Sequence, residues 1–303
     1  MIDKGILYSN LNSGLIFERF SAFERNLEKN LPYIRRHGGL QGIMPLLAGK
    51  HVIIAGAGPS LEKDLHFLKK YQFRRELVII STDMALRPLV RNGIVPGFVI
   101  SCETTPVDFF GGLDTRKMRL LAFTCMSGIN VRKWGGEMHF YNWMLHEEPF
   151  SALWEKAGKE LGFVATASLV TTQAVAIALG CGIQSLLLCG NDMAFLDRFY
   201  LRESLVHARH LLGQTRLKPM PALEMEISRR AREYEIHRDG KGFYTNSQFL
   251  AAKLWLEELL ETQAVPVFDC SVPGCSVKSV RKTHIRDYFL MFETRKKRKG
   301  RQR

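Results

Sequence analysis

Residues 51–61 read HVIIAGAGPSL, a stretch that predicts a buried strand turning sharply into a helix. The apolar run ends in Gly56 and Gly58, which let the backbone bend and approach a ligand without a Cβ in the way. Pro59 suits the first turn of a helix, and Ser60 offers a hydroxyl beside unpaired helix N–H groups. These four residues are typical of a phosphate-binding corner. Because the third glycine of the usual dinucleotide fingerprint is missing, a tight turn without a ligand is the alternative.

The length and composition of the chain are those of a folded protein. It has 303 residues, of which 46% are hydrophobic, enough for one large α/β domain with or without a helical insertion. No stretch approaches the roughly 20 apolar residues that cross a bilayer, and the N-terminus lacks the pattern of a signal peptide, so we expect a cytoplasmic protein. The six cysteines are scattered without a CxxC pair, which favours reduced core thiols over a zinc site or a disulfide framework.

Positive charge is concentrated at the carboxyl end of the chain. The net charge is +13, and residues 295–303 (RKKRKGRQR) hold seven basic and no acidic residues, which leaves 13 − 7 = +6 for the rest. Residues 291–303 are therefore predicted to be a disordered basic tail, either solvated or in contact with an anionic surface or an acidic partner. We expect no sequence-specific binding of nucleic acid.

Polar residues follow the apolar runs at the points where the predicted strands end. After the corner, strands are predicted over 77–80, 98–101 and 185–189. In an open parallel sheet, ligands bind outside the carboxyl ends of the strands. We therefore predict one crevice for a nucleotide or phosphate, lined by the corner residues Gly56, Gly58, Pro59 and Ser60 and by Thr82, Asp83, Glu103, Thr105, Gly190 and Asn191.

Four further residues are candidates for this crevice. Asp192 is the strongest single candidate for catalysis, since a carboxylate there can act as a base, hold Mg²⁺ or bind a ribose hydroxyl; the alternative is a turn-forming Asn-Asp pair. Thr166 and Ser168 precede an almost uncharged helix, which they can cap or whose positive end they can present to a phosphate. His207, in a charged stretch, is a second candidate base.

The order of the patterns divides the chain into three parts. Residues 1–48 are predicted to form a helical cover and residues 49–290 an α/β domain, followed by the basic tail. Within the domain, residues 196–240 are rich in charge and show no good strand, so a mostly helical insertion is predicted there. The last predicted strand, 265–269, contains Pro266, which favours a position at the edge of the sheet.

Seven motifs in a fixed order resemble those of the motility-associated factor (Maf) glycosyltransferases of flagellated bacteria. More distantly, they resemble the archaeal 6-hydroxymethylpterin diphosphokinases, which share the central domain. The motifs extend over about residues 28–280 and read NLPYIRRHGGL, IIAGAGPSL, STDMALRPLVRNGIVPGFVIS, ASLVTTQAVAIALGCG, LLLCGNDMAF, GFYTNSQFLAAKLWLEELL and VFDCSVPGCSV. The set in this order is far more specific than any one motif.

The resemblance implies a Rossmann-like α/β fold, with a mostly parallel sheet, helices on both faces and a relation to bacterial sialyltransferases. It implies that a CMP-activated nonulosonic acid, of the pseudaminic or legionaminic type, is transferred to Ser or Thr of a protein such as flagellin. In that reaction the corner would hold the donor phosphate, and Asp83, Glu103 and Asn191 would read ribose, base or sugar hydroxyls. Asp192 or His207 would deprotonate the acceptor hydroxyl.

Two other functions remain open at this point. The first is diphosphate transfer from ATP to a hydroxymethylpterin-like alcohol, with Mg²⁺ as cofactor and Asp83, Glu103 and Asp192 as its ligands. The second is a non-catalytic, nucleotide-dependent assembly factor, which is suggested by Gly97 and Glu103 at places where the Maf family commonly has Asp.

Overall fold

A computed structural model describes residues 4–145, 148–167, 169–238, 240–272, 274 and 278–291. Ser168, one of the predicted phosphate contacts, lies outside the described residues. The same holds for residues 292–303, which make up nearly all of the predicted basic tail.

The described chain alternates strands with helices, as the succession of apolar runs predicts. The strands are β1 His51–Ala55, β2 Leu77–Thr82, β3 Phe98–Ser101, β4 Arg119–Phe123, β5 Glu137–Trp143, β6 Phe163–Val164, β7 Ser185–Cys189, β8 Tyr234–Arg238, β9 Lys241–Thr245, β10 Val267–Asp269 and β11 Val280–Lys282. The α-helices are α1 Lys4–His37, α2 Met44–Leu47, α3 Leu65–Tyr71, α4 Asp83–Arg91, α5 Gly128–Lys133, α6 Phe150–Ala157, α7 Val170–Gly180, α8 Leu205–Leu212, α9 Met220–Ala231 and α10 Ser247–Glu261.

Nine of the described strands form one parallel sheet in the order β11-β10-β7-β1-β2-β3-β4-β5-β6. The chain adds β2 to β6 on one side of β1 and then returns to add β7, β10 and β11 on the other side. Such a reversal of strand order opens a crevice at the carboxyl ends of the central strands. The predicted Rossmann-like, parallel α/β fold is therefore confirmed.

Helices cover both faces of the sheet, because the central strands bury side chains on both sides. In β1, Val52 and Ile54 join an apolar cluster that includes residues of α1, α7 and α10. Ile53 and Ala55 join a second cluster that includes residues of α3 and of the segment near residue 288. Each large aliphatic side chain that is fully buried in this way contributes about 1.5–3 kcal/mol to folding.

The strand predicted over residues 265–269 is not at the edge of the sheet. β10 pairs with β7 on one side and with β11 on the other, so the edge prediction was wrong. Pro266 precedes the strand, and its carbonyl accepts a hydrogen bond from the N–H of Leu186 at 3.0 Å. The missing N–H of the proline therefore falls outside the paired residues.

The predicted helical insertion contains a β-hairpin as well as two helices. After α8 and α9, β8 pairs antiparallel with β9, although no strand was expected before residue 240. Tyr234 and Ile236 alternate with charged residues and pack against an apolar cluster on α10. This alternation with period two is the strand signal that the high charge of the segment concealed.

The described cysteines form no disulfide with one another. No helix in the described part of the chain combines the length and the apolarity needed to cross a bilayer.

Helix α1 is fastened to the sheet by two asparagines one turn apart. The Asn26 side-chain amide donates to the carbonyls of Thr104 (2.9 Å) and Cys125 (3.1 Å). The Asn30 amide, which is fully buried, donates to the carbonyls of Thr124 (3.0 Å) and Met126 (2.8 Å). These bonds satisfy backbone groups in the loops after β3 and β4, so the helix and the loops are positioned together.

We predict that Asn30→Ala lowers the free energy of unfolding by about 2 kcal/mol, because two buried carbonyls lose their donor. The measurement is urea denaturation of the purified chain. Glu24→Ala, an exposed change on the same helix, is the control and is expected to leave stability within about 0.5 kcal/mol of the parent. Equal effects of the two changes would contradict the anchoring role of Asn30.

Candidate functional site

A cavity of about 660 Å³, here called the main cavity, lies at the carboxyl ends of β1, β2, β3 and β7. This volume lies within the range of about 300–1,000 Å³ that is typical of small-molecule sites. Aromatic side chains from α1, β5, the loop after β7 and α10 also line it: Phe23, Trp143, Phe199, Tyr200, Phe249 and Trp255. The sequence motifs that supply most of these aromatics, DRFY (197–200) and NSQFLAAKLW (246–255), were not recognised as site signals.

The structure brings most of the predicted strand-end residues to the main cavity. The predicted residues that line it are Gly58, Thr82, Asp83, Glu103, Thr166, Gly190, Asn191 and Asp192. The predicted residues absent from its lining are Gly56, Pro59, Ser60, Thr105 and His207.

The predicted phosphate corner is filled by the protein's own oxygen atoms. The N–H of Gly56 donates to the carbonyl of Cys189 at 2.9 Å, and the N–H of Gly58 donates to the carbonyl of Gly190 at 2.7 Å. The N–H of Ser60 donates to Asp192 Oδ2 at 2.9 Å. A carboxylate of the chain thus takes the place that we predicted for a donor phosphate, and these three N–H groups are engaged.

The two glycines of the corner are required by close packing between the loops that follow β1 and β7. A Cβ on Gly56 would lie 2.4 Å from Asn191 Oδ1, and a Cβ on Gly58 would lie 2.4 Å from Asp192 Oδ2 and 2.6 Å from the carbonyl oxygen of Gly190. All three distances are far below van der Waals contact. The glycine pattern that suggested a ligand therefore reflects contact between two parts of the protein.

We predict that Gly58→Ala destabilises the protein by about 2–3 kcal/mol through overpacking. The backbone at Gly58 (φ −73°, ψ 152°) is accessible to alanine, so the cost would come from the contact with Asp192 and Gly190. Gly180→Ala on α7 is the matched control, since its Cβ would meet nothing within 4 Å. Thermal unfolding measures both; the same melting temperature for the two variants would refute the packing argument.

Asp192 is buried and joins two loops through both of its carboxylate oxygens. Oδ2 accepts the Ser60 bond, and Oδ1 accepts a hydrogen bond from the N–H of Val272 at 2.6 Å. Burial raises the pKa of Asp192 to about 6, and the hydrogen bonds from Ser60 and Val272 limit that rise. Each oxygen retains a second lone pair, so the side chain can position the loops and also accept a bond from a ligand in the main cavity.

Asp83, the first residue of α4, is a second buried carboxylate of the main cavity. Its Oδ2 accepts a hydrogen bond from the Ser101 hydroxyl at 2.6 Å, and its Oδ1 accepts one from the N–H of Met84 at 2.7 Å. Burial raises the pKa of Asp83 to about 6 in spite of these bonds. Strands β2 and β3 bring the two interacting side chains together at their carboxyl ends.

We predict that the ligand-free protein loses stability through Asp83 as the pH rises from about 4 to 7. The folded state holds the proton to about pH 6, whereas the Asp83 carboxyl of the unfolded chain releases it near pH 3.8. The contribution of Asp83 to the free energy of unfolding is therefore fully present below the pKa of the unfolded state. It is lost as the pH rises through the pKa of the folded state, by about 3 kcal/mol in total.

Asp83→Asn tests this, because the amide cannot ionise and the Ser101 hydroxyl can accept as well as donate. The stability of the variant relative to the parent should grow across this pH window in denaturant titrations. Parallel stability profiles of parent and variant would show that Asp83 does not titrate as described.

Thr104, and not the predicted Thr105, reaches the main cavity. Thr105 is exposed, and its N–H and hydroxyl both donate to Glu103 Oε1 at 2.8 Å. Thr104 is 4% exposed and lines the cavity. Successive side chains of an extended backbone point to opposite sides, so a displacement of one residue moves the hydroxyl from one environment to the other.

Three residues that line the main cavity each have a buried polar atom without a hydrogen-bond partner in the described protein. These atoms are the hydroxyl oxygens of Thr82 and Thr104 and the side-chain carbonyl of Asn191. Thr82 is only 2% exposed, and Asn191 is 4% exposed. Buried polar groups in folded proteins are almost always paired, and an unpaired one costs about 1–3 kcal/mol. Because these atoms have almost no accessible surface, a polar ligand in the cavity would pair with them after the side chains rotate toward it.

Thr166 is held at the start of α7 by a buried network. Its hydroxyl accepts from the Gln173 side-chain amide at 3.0 Å. The Gln173 carbonyl in turn accepts from the Tyr141 hydroxyl (2.6 Å) and the Trp143 indole N–H (3.2 Å). The network fixes the orientation of both lining residues, Thr166 and Trp143.

The structure does not bring His207 to the main cavity. His207 lies in the first turn of α8 and lines a separate cavity of about 70 Å³ together with His210 and Arg198. Its N–H donates to the Ser204 hydroxyl at 3.3 Å, and its Nδ1 accepts from the N–H of Glu203 at 3.3 Å. The sequence does not show how the insertion folds back, so it could not show that His207 lies outside the main cavity.

Carboxylates outnumber cations in the main cavity. Among its described lining residues Glu18, Asp83, Glu103 and Asp192 are acidic, and Arg19 on α1 is the single cation. Arg19 Nη1 lies 3.9 Å from Glu103 Oε1, and its side chain is 42% exposed. An ion pair this long and this solvated is weak, so Arg19 can turn to an anionic ligand at little cost.

The carboxylates predicted as magnesium ligands do not converge. Within the described residues, the group of potential metal ligands with all atoms within 4.8 Å of one another is Asp64, Cys189 and Cys270. Asp83, Glu103 and Asp192 form no such group. The main cavity therefore lacks a direct Mg²⁺ site built from these three side chains.

Comparison with known proteins gives one family and one fold. Residues 25–198 match the family model described as 6-hydroxymethylpterin diphosphokinase MptE-like. No curated protein sequence matches the chain.

Among solved structures, the chain is similar to a MAf glycosyltransferase from Magnetospirillum magneticum AMB-1, with a TM-score of 0.55 and 19% sequence identity. The match covers 78% of this chain and 34% of that protein, so the chain spans about a third of its length. At this identity the likeness shows a shared fold.

Proposed function

Since the chain belongs to the 6-hydroxymethylpterin diphosphokinase MptE-like family, we propose that the main cavity binds a nucleotide-activated donor and that the protein is a transferase. The proposed reaction is glycosyl transfer, in which a CMP-activated nonulosonic sugar of the pseudaminic or legionaminic type passes to a Ser or Thr hydroxyl of a protein such as flagellin. A MAf glycosyltransferase has the same fold, so the fold is compatible with glycosyl transfer.

The observation that carries the proposal is the set of unpaired polar atoms on residues that line the main cavity. The hydroxyls of Thr82 and Thr104 and the Asn191 carbonyl come from the carboxyl ends of three different strands of the sheet. Hydroxyls can both donate and accept, whereas the amide carbonyl only accepts. A ribose or sugar, which is rich in hydroxyls, offers the matching donors and acceptors.

Aromatic lining residues provide the apolar part of the same site. Tyr200 and Phe249 lie with ring centroids 6.3 Å apart, and Phe199 and Phe249 lie 5.5 Å apart, both edge to face. A nucleobase can stack on such rings, and one stacked base contributes about 1–3 kcal/mol. The cavity therefore combines a surface for a base with polar groups for a sugar.

We propose roles for two charged residues of the cavity, Arg19 and Asp192, in the transfer step. As the bond between the sugar and the CMP phosphate breaks, its electron pair leaves with the phosphate, and Arg19 can balance the charge that develops there. The acceptor oxygen bonds to the sugar carbon and gives up its proton. Asp192, whose pKa of about 6 lies near neutral pH, is the proposed base for that proton.

We predict that Thr82→Val weakens the binding of CMP about 5- to 10-fold, the equivalent of one lost hydrogen bond. The Thr82 hydroxyl has no partner in the described protein, so the variant should be as stable as the parent or slightly more stable. Isothermal titration with CMP measures affinity, and thermal unfolding measures stability. A loss of affinity without a loss of stability separates ligand binding from a structural role.

Thr105→Val is the matched control, because Thr105 is exposed and does not line the main cavity. It should bind CMP as the parent does. No binding of CMP at millimolar concentration by the parent would reject the proposed donor. Binding of ATP instead, with AMP formed in a Mg²⁺-dependent reaction, would assign diphosphate transfer and reject glycosyl transfer.

A further inference from the structure

A second cluster of reactive side chains lies apart from the main cavity. Asp64 ends the 3₁₀ turn Pro59–Asp64, Cys189 ends β7, and Cys270 directly follows β10. One ligand atom from each lies within 4.8 Å of the other two, and all three residues are buried. None of them lines the main cavity.

The sheet itself brings the two thiols together. In the parallel pairing of β7 with β10, Leu188 is aligned with Asp269, so Cys189 and Cys270 follow on neighbouring strands. The N–H of Cys270 donates to the carbonyl of Leu188 at 2.8 Å, which holds this register at the strand ends. The cysteines are 81 residues apart in the sequence, so no CxxC motif in the sequence indicates that they are neighbours.

The carboxylate of Asp64 is the unexplained member of the cluster. The side chain is fully buried, and neither of its oxygens has a hydrogen-bond partner in the described protein. Burial raises its pKa to about 7. A buried carboxylate with no partner is costly, and paired charges or metal ions are the usual compensation.

We propose that Asp64, Cys189 and Cys270 bind a thiophilic divalent ion such as Zn²⁺. Zinc takes thiolate sulfur at about 2.3 Å and carboxylate oxygen at about 2.0–2.2 Å in tetrahedral geometry. The ligand atoms of such a site are about 3.5–3.8 Å apart, as follows from those bond lengths. Atoms within 4.8 Å of one another reach this arrangement by small side-chain rotations. Binding would displace the thiol protons.

Two sulfur ligands select the ion. Mg²⁺ and Ca²⁺ prefer oxygen ligands, whereas thiolates select zinc and related soft ions. All three ligands are buried, and three protein ligands leave the fourth tetrahedral position to a water molecule. A bound ion would join the turn after β1 to the ends of β7 and β10, next to the loops that Asp192 connects.

The full-length chain, incubated with Zn²⁺ and passed through a desalting column, should retain one zinc per molecule by elemental analysis. Cobalt substitution should produce the near-ultraviolet charge-transfer absorption of thiolate ligands. Zinc at 100 times its dissociation constant should raise the melting temperature by about 4 °C, and a chelator should reverse the shift.

Asp64→Asn and Cys270→Ser should each abolish zinc retention and the cobalt absorption. Cys125→Ser is the matched control, because Cys125 is buried in the other apolar cluster and has no place in the site. The asparagine variant keeps the shape of the side chain, so the test stands even if the serine variant fails to fold. Retention of zinc by Asp64→Asn, absence of zinc in the parent, or a Cys189–Cys270 disulfide detected by mass spectrometry would each overturn the proposal.

Discussion

The carboxylate of Asp192 is the interaction on which the central crevice depends. It receives the N–H of Ser60 from the loop after β1 and the N–H of Val272 from the loop after β10. Burying a charge is costly unless hydrogen bonds compensate it, and here both oxygens are compensated by backbone donors. This arrangement requires glycine at positions 56 and 58, because any side chain there would occupy the space of the loop after β7.

Much of the fold was predictable because buried parallel strands appear as short apolar runs with polar ends. The strand order added what the sequence could not show: β1 and β7 are neighbours although 129 residues separate Ala55 from Ser185. The strand-end rule therefore predicted Thr82, Asp83 and Asn191 as lining residues. The rule did not hold for Thr105, which does not line the cavity although its neighbour Thr104 does. His207 was predicted from a charged stretch without strands, and its position depends on the path of the insertion.

The glycine-rich corner shows how a local motif can have two physical causes. A close approach of backbone to a phosphate and a close approach of backbone to another loop both require the absence of a Cβ. The sequence alone cannot distinguish them. The partners of the N–H groups do distinguish them, because at Gly58 and Ser60 those groups already donate to Gly190 and Asp192. In the proposed function, ligand recognition therefore depends on side chains, above all on the hydroxyls of Thr82 and Thr104.

Helix α1 has a consequence that extends beyond its packing. Arg19 and Phe23 line the main cavity, while Asn26 and Asn30 on the following turns hold the loops after β3 and β4. A docked helix therefore raises the affinity for a ligand that touches Arg19 and Phe23, and such a ligand stabilises the docked helix by the same factor. If the cavity binds the proposed ligand, its occupancy and the docking of the amino-terminal helix are coupled, and the helix is a component of that binding site.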